Sequence, residues 1–304
     1  PGLIIAHYGQ QLAVQPLSNN CFTSDPPHQC YLRTNIDALV IGDRVVWRAG
    51  ADYSGVIVAR KPRKNALKRP DKFGQLKPVA ANIDLILIVI APEPQPYANL
   101  INRYLVAAET VNIKPCIVLN KKDLVRPDNQ KYIAALRKIY QQLNYPWLEV
   151  SSTSKHGLQP LIEFLSQKTS IFVGQSGVGK SSLINALLPD ESLKVGELSS
   201  VGRKGIHTTT AARLYRIPTG GALIDSPGIR EFGLWHIDEQ TLAEGFVEFR
   251  PYLGHCRFRD CLHRREPGCA LMEAVEKGEI NRERIDSFFH IRDSLSDQRI
   301  FDNE

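Results

Sequence analysis

The spacing of apolar and polar positions changes twice along the chain. Up to about residue 77, short alternating apolar runs such as 44-RVVWRA and 55-GVIVARK are separated by Asn, Asp, Pro and Gly clusters. This pattern is typical of a small antiparallel barrel, with an OB-type barrel as one candidate. From residue 82, continuous apolar runs alternate with helical patterns, which predicts a mostly parallel sheet covered on both faces. After about residue 237 only helical patterns follow. We therefore expect an α/β protein with three units at 1–77, 78–235 and 236–304.

The same patterns predict the bounds of individual elements. The predicted strands of the middle unit are 84–90, 114–120, 147–150, 170–174 and 221–225. The predicted helices are 98–111, 128–143, 158–166 and 180–188, followed by 238–249, 270–278 and 281–295. Between the first strands, the polar and Pro-rich stretch 18–30, with Cys21 and Cys30, is predicted to be a mobile loop.

Composition narrows the class of protein. A hydrophobic content of 43% and a charged content of 23% are ordinary for a soluble globular chain. The longest apolar run, 85–91, is far shorter than the roughly 20 residues needed to span a bilayer. The first ten residues lack the charged start and long apolar core of a secretory signal. We expect a cytoplasmic protein without disulfides and without a membrane partner.

Positive charge is concentrated in one segment. Residues 60–77 carry eight basic residues and one acidic residue, a net +7, whereas the whole chain carries +6. A solvated, flexible linker is one interpretation of such a run. Contact with a nucleic-acid phosphate backbone is the other, and both stay open at this point.

The stretch GQSGVGKSS at 174–182 matches the phosphate-binding loop G-x-x-x-x-G-K-S. It lies between a predicted strand and a predicted helix, the context that this motif requires, which argues against a chance glycine-rich turn. The glycines turn backbone N–H groups onto phosphate oxygens, the lysine reaches the β- and γ-phosphates, and the serine hydroxyl binds Mg²⁺. The predicted nucleotide-binding residues are Gly174, Gln175, Ser176, Gly177, Val178, Gly179, Lys180, Ser181 and Ser182, with Lys180 catalytic and Ser181 a magnesium ligand.

The DSPG motif that begins at Asp225 directly follows an apolar strand. Asp225 can hold Mg²⁺ through water, and the Gly228 N–H can meet the γ-phosphate. Alone, D-x-x-G is a common turn. One strand beyond a phosphate-binding loop, it predicts the second half of a magnesium–nucleotide site.

A threonine run, HTTT at 207–210, lies between these motifs. A Thr there can close on Mg²⁺ when the γ-phosphate is present, although a plain polar loop is the alternative. The candidates are Thr208, Thr209 and Thr210, of which we take Thr209 as catalytic. Ile229 follows Gly228 where Ras-type enzymes carry a Gln that aligns the attacking water, so we expect slow hydrolysis without a partner. His207 is the candidate for the missing catalytic group, but it could equally pack or cap its own loop.

NKKD at 120–123 follows the predicted strand at 114–120. Guanine presents two neighbouring N–H donors that match the two oxygens of a carboxylate, and adenine has no such pair. Asp123 would therefore select GTP, with Asn120 bracing the loop and the Lys121 stem lying on the base. N-K-x-D alone is a common surface turn, but beside the phosphate motifs it is specific. The other predicted base-side residues are Lys122, Ser151 and Ser152, the serines through backbone N–H groups.

These elements stand in an unusual order, because the base-binding motifs precede the phosphate-binding loop. Such rotation is physically easy when the original chain ends lie close together. The short stretch 166–169 would join the old ends. After residues 225–235 the chain would continue directly into the C-terminal helices. We therefore expect that movement of this γ-phosphate-sensing segment also moves those helices.

Three of the six cysteines crowd into the spacing Cys256-x₄-Cys261-x-His263-x₅-Cys269. Three thiolates and one imidazole suit a tetrahedral structural zinc site, and four protein ligands leave no open position for catalysis. Reduced buried cysteines are the alternative, and His255 could substitute as a ligand. The neighbouring arginines, which could touch phosphates or be solvated, are Arg257, Arg259, Arg264 and Arg265.

Together these motifs resemble the RsgA (YjeQ) family of circularly permuted, ribosome small-subunit-dependent GTPases. The likeness rests on NKKD, GQSGVGKSS, HTTT, DSPG and the Cys-Cys-His-Cys spacing, and it covers essentially the whole chain. It implies an N-terminal OB fold that binds 16S rRNA, a late role in 30S subunit maturation, and stimulation of the GTPase by that subunit. In that family a basic residue usually precedes the His of the Thr run, where this chain has Ile206.

Three functional hypotheses follow. The first is a monomeric GTP hydrolase, using Mg²⁺ and a structural Zn²⁺, that checks or matures the 30S subunit. The second is a GTPase of large-subunit assembly, since circular permutation also occurs there, although the barrel and the cysteine cluster argue against it. The third is an RNA-binding scaffold whose nucleotide tunes its shape with little turnover.

Overall fold

The chain is analysed from a computed structural model. It describes residues 1–8, 11–19, 21–33, 36–71, 73–153, 157–188, 212–225, 234 and 237–301, with side chains up to residue 295. Within these ranges no helix has both the length and the apolar character that crossing a membrane requires.

The N-terminal strands close into a five-stranded barrel. Each of its strands pairs with two others in the cyclic order β1–β2–β4–β6–β5, with β4 and β6 parallel and the other pairs antiparallel. This closed order is that of the predicted OB-type barrel. The barrel strands are β1 Gly2–Tyr8, β2 Gln11–Ser18, β4 His28–Leu32, β5 Arg44–Ala49 and β6 Ser54–Arg60, and the short β3 Cys21–Phe22 lies outside the ring.

The prediction of a loop over 18–30 is wrong at two points. Strand β3 pairs with the end of β2, and β4 begins at His28 and pairs with both β2 and β6. Cys30 is fully buried in the barrel instead of lying in a loop. It is the only buried position of β4, so the strand shows no run of alternating apolar residues that the sequence could reveal.

The basic segment is folded, so its interpretation as a flexible linker is wrong for the described part. It contains an antiparallel hairpin of β7 Ala66–Pro70 and β8 Leu76–Ala81. Ala80 forms a bridge to Ile41 beside the barrel. Arg63 donates two hydrogen bonds of 2.7 Å to the fully buried carboxylate of Asp43. The segment is therefore attached to the barrel before the central sheet begins, and β8 continues past residue 77.

The central sheet has the order β11-β10-β9-β12-β14-β13, parallel except for β13, which also pairs with β1. The strands are β9 Leu85–Ile90, β10 Lys114–Leu119, β11 Trp147–Glu149, β12 Thr169–Val173, β13 Arg213–Arg216 and β14 Ala222–Asp225. The helices are α1 Ala98–Thr110, α2 Pro127–Gln142, α3 Gln159–Leu165 and α4 Lys180–Leu187, with a 3₁₀ turn at Lys122–Leu124. Each predicted strand and helix of this unit is confirmed to about one residue, but β13 was missed.

Both faces of this sheet are covered. All six residues of β9 are buried, and alternate residues join different cores. Ile86 and Ile88 pack in the core that contains α1, whereas Leu85 and Leu87 pack in the core that contains α3 and α4. This explains why the strand is a continuous apolar run in the sequence.

The C-terminal unit is helical among its described residues. Its helices are α5 Glu239–Glu244, α6 Ala270–Glu276 and α7 Arg282–Phe301. The first is shorter than predicted, because the chain turns at Gly245, where an added Cβ would lie 2.5 Å from Val106 of α1. The rings of Phe246, Phe249 and Phe288 pack together behind this turn.

A buried polar network joins α7 to the central unit. Arg284 is 1% exposed and forms a two-pronged ion pair with Glu248, at 2.5 and 3.0 Å. The third guanidinium nitrogen, Nη1, donates to Asn102 Oδ1 of α1 at 2.6 Å. The same oxygen accepts a hydrogen bond of 2.9 Å from the Tyr140 hydroxyl of α2. A buried charge held by one carboxylate is costly to leave unpaired, so this network fixes how the last helix docks.

We predict that Arg284→Met destabilises the chain by about 3–5 kcal/mol, because it leaves the Glu248 carboxylate buried without its partner. Urea unfolding measures this. Arg282→Met is the matched control, since Arg282 pairs with Asp286 in solvent and its loss should cost about 0.5 kcal/mol or less. The double variant Arg284→Met/Glu248→Leu should recover much of the loss. Equal unfolding midpoints for the two single variants would contradict the assignment.

Candidate nucleotide and zinc sites

The predicted phosphate and base loops meet at one edge of the central sheet. The phosphate-binding loop leaves the end of β12, NKKD leaves the end of β10, and Ser151 follows β11. These strands are parallel, so their carboxyl ends lie on the same side. This is the edge at which open α/β sheets bind ligands.

Three glycines give the phosphate-binding loop its shape. Gly174, Gly177 and Gly179 all have left-handed φ angles, of 137°, 83° and 92°. A Cβ on Gly174 would lie 2.2 Å from the Val89 carbonyl oxygen, and one on Gly179 would lie 2.4 Å from the Asn120 amide nitrogen. The loop therefore packs directly against β9 and the base loop, and glycine is required for space as well as for conformation.

The base loop is bonded to the phosphate-binding loop. Asn120, fully buried, donates from Nδ2 to the Val178 carbonyl at 2.9 Å. Lys121 Nζ donates to the Gly177 carbonyl at 2.8 Å. Lys180 Nζ lies inside the loop, donating to the carbonyls of residues 174 and 175 at 2.6 and 2.7 Å. Side chains of both loops thus fix the backbone of the phosphate-binding loop through four hydrogen bonds.

The predicted base-side residues divide into two groups. Asp123 is exposed and accepts a 2.5 Å hydrogen bond from Ser151 Oγ, which lies 2.8 Å from Thr153 Oγ1. Lys122 instead forms an ion pair with Glu149 at 2.9 Å. Partial burial is the largest influence on the pKa of the Glu149 carboxyl and raises it, but Lys122 and Arg137, which both pair with this carboxylate, together lower it below its ordinary value. Lys122 therefore supports the neighbouring strand. Ser152 follows in the same turn, half-buried.

Sequence reasoning missed a contact between α1 and the phosphate-binding loop. Tyr104, 7% exposed, shares a hydrogen bond with the backbone of Gly174. Burial raises the pKa of this phenol, and the bond from Gly174 opposes the rise. Tyr104 also lines a small apolar cleft together with Tyr97 and Val178. Only its position in a helix directly after a buried strand could have indicated this role.

The remaining predicted phosphate-side residues are only partly described. Gln175 and Ser176 are exposed at the top of the loop, and Ser181 and Ser182 occupy the first turn of α4, also exposed. Asp225 ends β14, the strand next to β12. The predictions for Ile206, His207, Thr208, Thr209, Thr210, Gly228 and Ile229 lie outside the described residues.

The predicted zinc ligands are brought together. Ligand atoms of Cys256, Cys261, His263 and Cys269 all lie within 4.8 Å of one another. His263 Nδ1 is 3.5 Å from the sulfurs of Cys256 and Cys269, which are 4.0 Å apart. Tetrahedral zinc with bonds of about 2.0–2.3 Å needs ligand atoms about 3.5–3.8 Å apart, so the donor set fits this ion. Burial raises the pKa of the Cys261 thiol to about 12, so a thiolate there needs a nearby cation.

The loop that carries these ligands is attached to α7. Arg292 donates to the Leu262 carbonyl at 2.7 Å and pairs with Glu239 of α5 at 2.8 Å. Arg264 pairs with Asp293 at 2.5 Å. The loop and the two helices therefore form one packed unit, as a structural metal site requires.

A family model described as RsgA GTPase matches residues 60–235. A curated relative from Hahella chejuensis, named small ribosomal subunit biogenesis GTPase RsgA, is 63% identical over 98% of this chain and 85% of its own length.

Two solved structures resemble the whole chain. YjeQ from Thermotoga maritima has a TM-score of 0.79 and 31% identity, covering 97% of each chain. YloQ, described as a circularly permuted GTPase, has a TM-score of 0.78 and 31% identity, covering 98% of this chain and 95% of its own. The predicted family resemblance and the rotated element order are confirmed.

We predict that Gly179→Ala lowers GTP affinity by at least about tenfold, because the new methyl group displaces Asn120 and strains the loop by about 1–3 kcal/mol. Gly278→Ala is the matched control. Gly278 also has a left-handed φ, of 74°, but nothing lies within 4 Å of an added Cβ. Titration with a fluorescent guanine nucleotide should show loss only for Gly179→Ala. Similar losses in both variants would mean that backbone strain alone, not loop packing, sets affinity.

Proposed function

The chain belongs to the RsgA GTPase family, and from this premise we propose that it hydrolyses GTP to GDP and phosphate during late maturation of the small ribosomal subunit. The observation that carries the proposal is the bonded pair of loops, in which Asn120 and Lys121 of the base motif hold the phosphate-binding loop. Such a pair binds a base and a phosphate chain across a single sheet edge.

Selection of guanine is assigned to Asp123. Ser151 donates to one carboxylate oxygen, and this bond orients the exposed group toward solvent at the sheet edge. The carboxylate can then accept both N–H groups of guanine, while the backbone after Ser151 offers donors to the guanine carbonyl. Lys121 places its stem across the same opening, because its ammonium is held by the Gly177 carbonyl.

Phosphate binding is assigned to the loop and to Lys180. Its ammonium is held by two loop carbonyls and would exchange these acceptors for the β- and γ-phosphates. The start of α4 adds backbone N–H groups and the positive end of a helix dipole. Ser181 and Asp225 are the residues that would hold Mg²⁺, and their places in the first turn of α4 and at the end of β14 fit that role. Bound magnesium neutralises charge that develops on the phosphates.

Slow intrinsic hydrolysis is part of the proposal. Ile229 stands where a water-aligning Gln is found in Ras-type enzymes, and an alkyl side chain cannot orient water. Thr209 and His207 keep their proposed roles as magnesium-sensing and catalytic residues. The small subunit would supply or position the group that aligns the attacking water. Hydrolysis would then depend on a correctly bound particle.

The three units receive separate tasks in this proposal. Residues 1–77, which include the basic segment, would bind 16S rRNA. Residues 78–235 would hydrolyse GTP. Residues 236–304 would hold a structural Zn²⁺ that stabilises the position of the last helix. The Cys-Cys-His-Cys geometry supports the zinc assignment. Ribosome assembly places such a protein in the cytoplasm, and we propose that it acts there as a monomer.

We predict a weak basal GTPase rate that small ribosomal subunits raise by orders of magnitude, up to about 10⁵-fold if the particle acts as a Ras activator does. Single-turnover and steady-state hydrolysis with 30S particles, 50S particles or neither measure this. Stimulation by 50S particles alone would assign the protein to large-subunit assembly. If neither particle produces single-turnover hydrolysis, the protein is instead an RNA-binding scaffold whose shape depends on the bound nucleotide.

We predict that the purified chain contains about one zinc ion per molecule, bound by the Cys-Cys-His-Cys set. Cys261→Ala should lose most of this zinc and expose the C-terminal helices to protease. Cys21→Ala is the control, because Cys21 is exposed and outside the cluster. Metal analysis with limited proteolysis gives both readouts. A metal-free chain with fully protected C-terminal helices would contradict the site.

A further inference from the structure

The rings of Trp47, His28 and Tyr53 lie in series at one end of the barrel, a set called the ladder below, and they are tilted against one another and not stacked. The His28 centroid lies 4.7 Å from that of Trp47, with 56° between the ring planes, and 5.6 Å from that of Tyr53, with 66° between the planes. Trp47 and His28 are half-buried, whereas Tyr53 is 61% exposed. The ladder thus leads from the barrel wall to solvent, and its outermost member is a tyrosine.

The inner end of the ladder is held by close packing. An added Cβ on Gly2 would lie 2.6 Å from the Trp47 indole nitrogen, and one on Gly55 would lie 3.0 Å from its six-membered ring. The indole therefore rests directly on the backbone of β1 and β6. His28 lies against it with Nδ1 3.3 Å from the Ser54 carbonyl oxygen. The barrel backbone therefore fixes the indole, and the indole and the Ser54 carbonyl together position the imidazole.

The outer end is held in a conformation that tyrosine rarely adopts. Asp52 and Tyr53 both have left-handed φ angles, of 52° and 53°. The turn is closed by a 3.0 Å bond from Ser54 N to the Ala51 carbonyl, and the Tyr53 carbonyl accepts from Gln29 N at 2.8 Å. Glycine or asparagine fits such a turn with less strain. Strain of this kind is kept where the side chain it presents has a use.

The position of the turn indicates the ligand. It connects β5 and β6, the fourth and fifth strands of the closed barrel. In OB-type barrels the loop at this position is one of those that bind oligonucleotides. Asp52 at the tip disfavours a phosphate there, so the ring faces a base.

We propose that the Tyr53–His28–Trp47 ladder is a stacking site for an unpaired RNA base, with Tyr53 as the platform. This rests on the proposed role of the barrel in rRNA binding and specifies its ligand as single-stranded, because a paired base offers no free face. Stacking tolerates any base, so the site recognises an exposed nucleotide and not a sequence. The site would distinguish unpaired rRNA from rRNA that has already formed its helix.

The decisive variant is Tyr53→Gly in the full chain. Glycine removes the ring and also relieves the left-handed strain, so the unfolding midpoint should equal or exceed that of the wild type. Affinity for a fluorescently labelled, unstructured 12-nucleotide RNA should nevertheless fall about 5- to 150-fold, the range for one stacked base. Tyr53→Phe should bind as the wild type does. Tyr97→Ala removes a tyrosine of similar exposure from the central unit and should also leave RNA affinity unchanged.

Several outcomes would overturn the inference. The inference is wrong if Tyr53→Gly and the wild type have equal affinity for the single-stranded RNA. It is also wrong if the wild type binds a duplex of matched sequence as tightly as it binds the single strand. Loss of 30S binding in Tyr53→Gly without loss of RNA binding would indicate a ribosomal protein as the ligand. The proposed function is tested separately, by 30S stimulation of wild-type hydrolysis. If 30S particles do not stimulate hydrolysis but Tyr53→Gly still binds RNA more weakly than the wild type does, the stacking site is supported and the proposed function is wrong.

Discussion

The hydrogen bond from the Asn120 amide to the Val178 carbonyl is the contact on which the nucleotide site depends. It joins two loops 58 residues apart, and the Lys121 ammonium adds a second tie. Both loops leave parallel strands at one sheet edge, so their meeting is set by strand order in space. Chain order is irrelevant to this geometry. A rotated sequence can therefore keep an intact site, provided that Gly179 leaves room for the amide.

Rotation changes what the site is attached to. Helix α1 contacts the phosphate-binding loop through Tyr104 and contacts the last helix through Asn102, which accepts from Arg284. Ser287 of the last helix donates to Asn99 of α1 at 2.5 Å. One helix thus touches both the phosphate-binding loop and the unit that carries the Cys-Cys-His-Cys cluster. The contacts at its far end are buried and polar, and such contacts fix the relative placement of the two units closely, because any shift would leave a buried polar group unpaired.

The sequence predicted what local chemistry determines and missed what distant packing determines. Continuous apolar runs such as 85–90 specify a buried parallel strand, and glycine, lysine and cysteine spacings predicted which loops and side chains the fold brings together. The hairpin at 66–81 was missed because its many charged residues leave only a weak alternation of apolar and polar positions. Its pairing is stabilised by contact with the barrel, which the local sequence does not indicate. Arg284 looks like any polar residue of an amphipathic helix. Its burial follows from a partner 36 residues away that no local pattern indicates.

Lys180 contributes to the loop differently from the base motif. Its ammonium donates to the carbonyls of residues 174 and 175, so a phosphate in their place would replace two neutral acceptors with a charged one. The gain in binding free energy would be only the difference between these acceptors, because the hydrogen bonds to the carbonyls would be lost. Asn120 and Lys121 hold the loop through the carbonyls of Val178 and Gly177, and this exchange leaves those two bonds intact. Placement of the loop and attraction of a phosphate are therefore contributions of different residues.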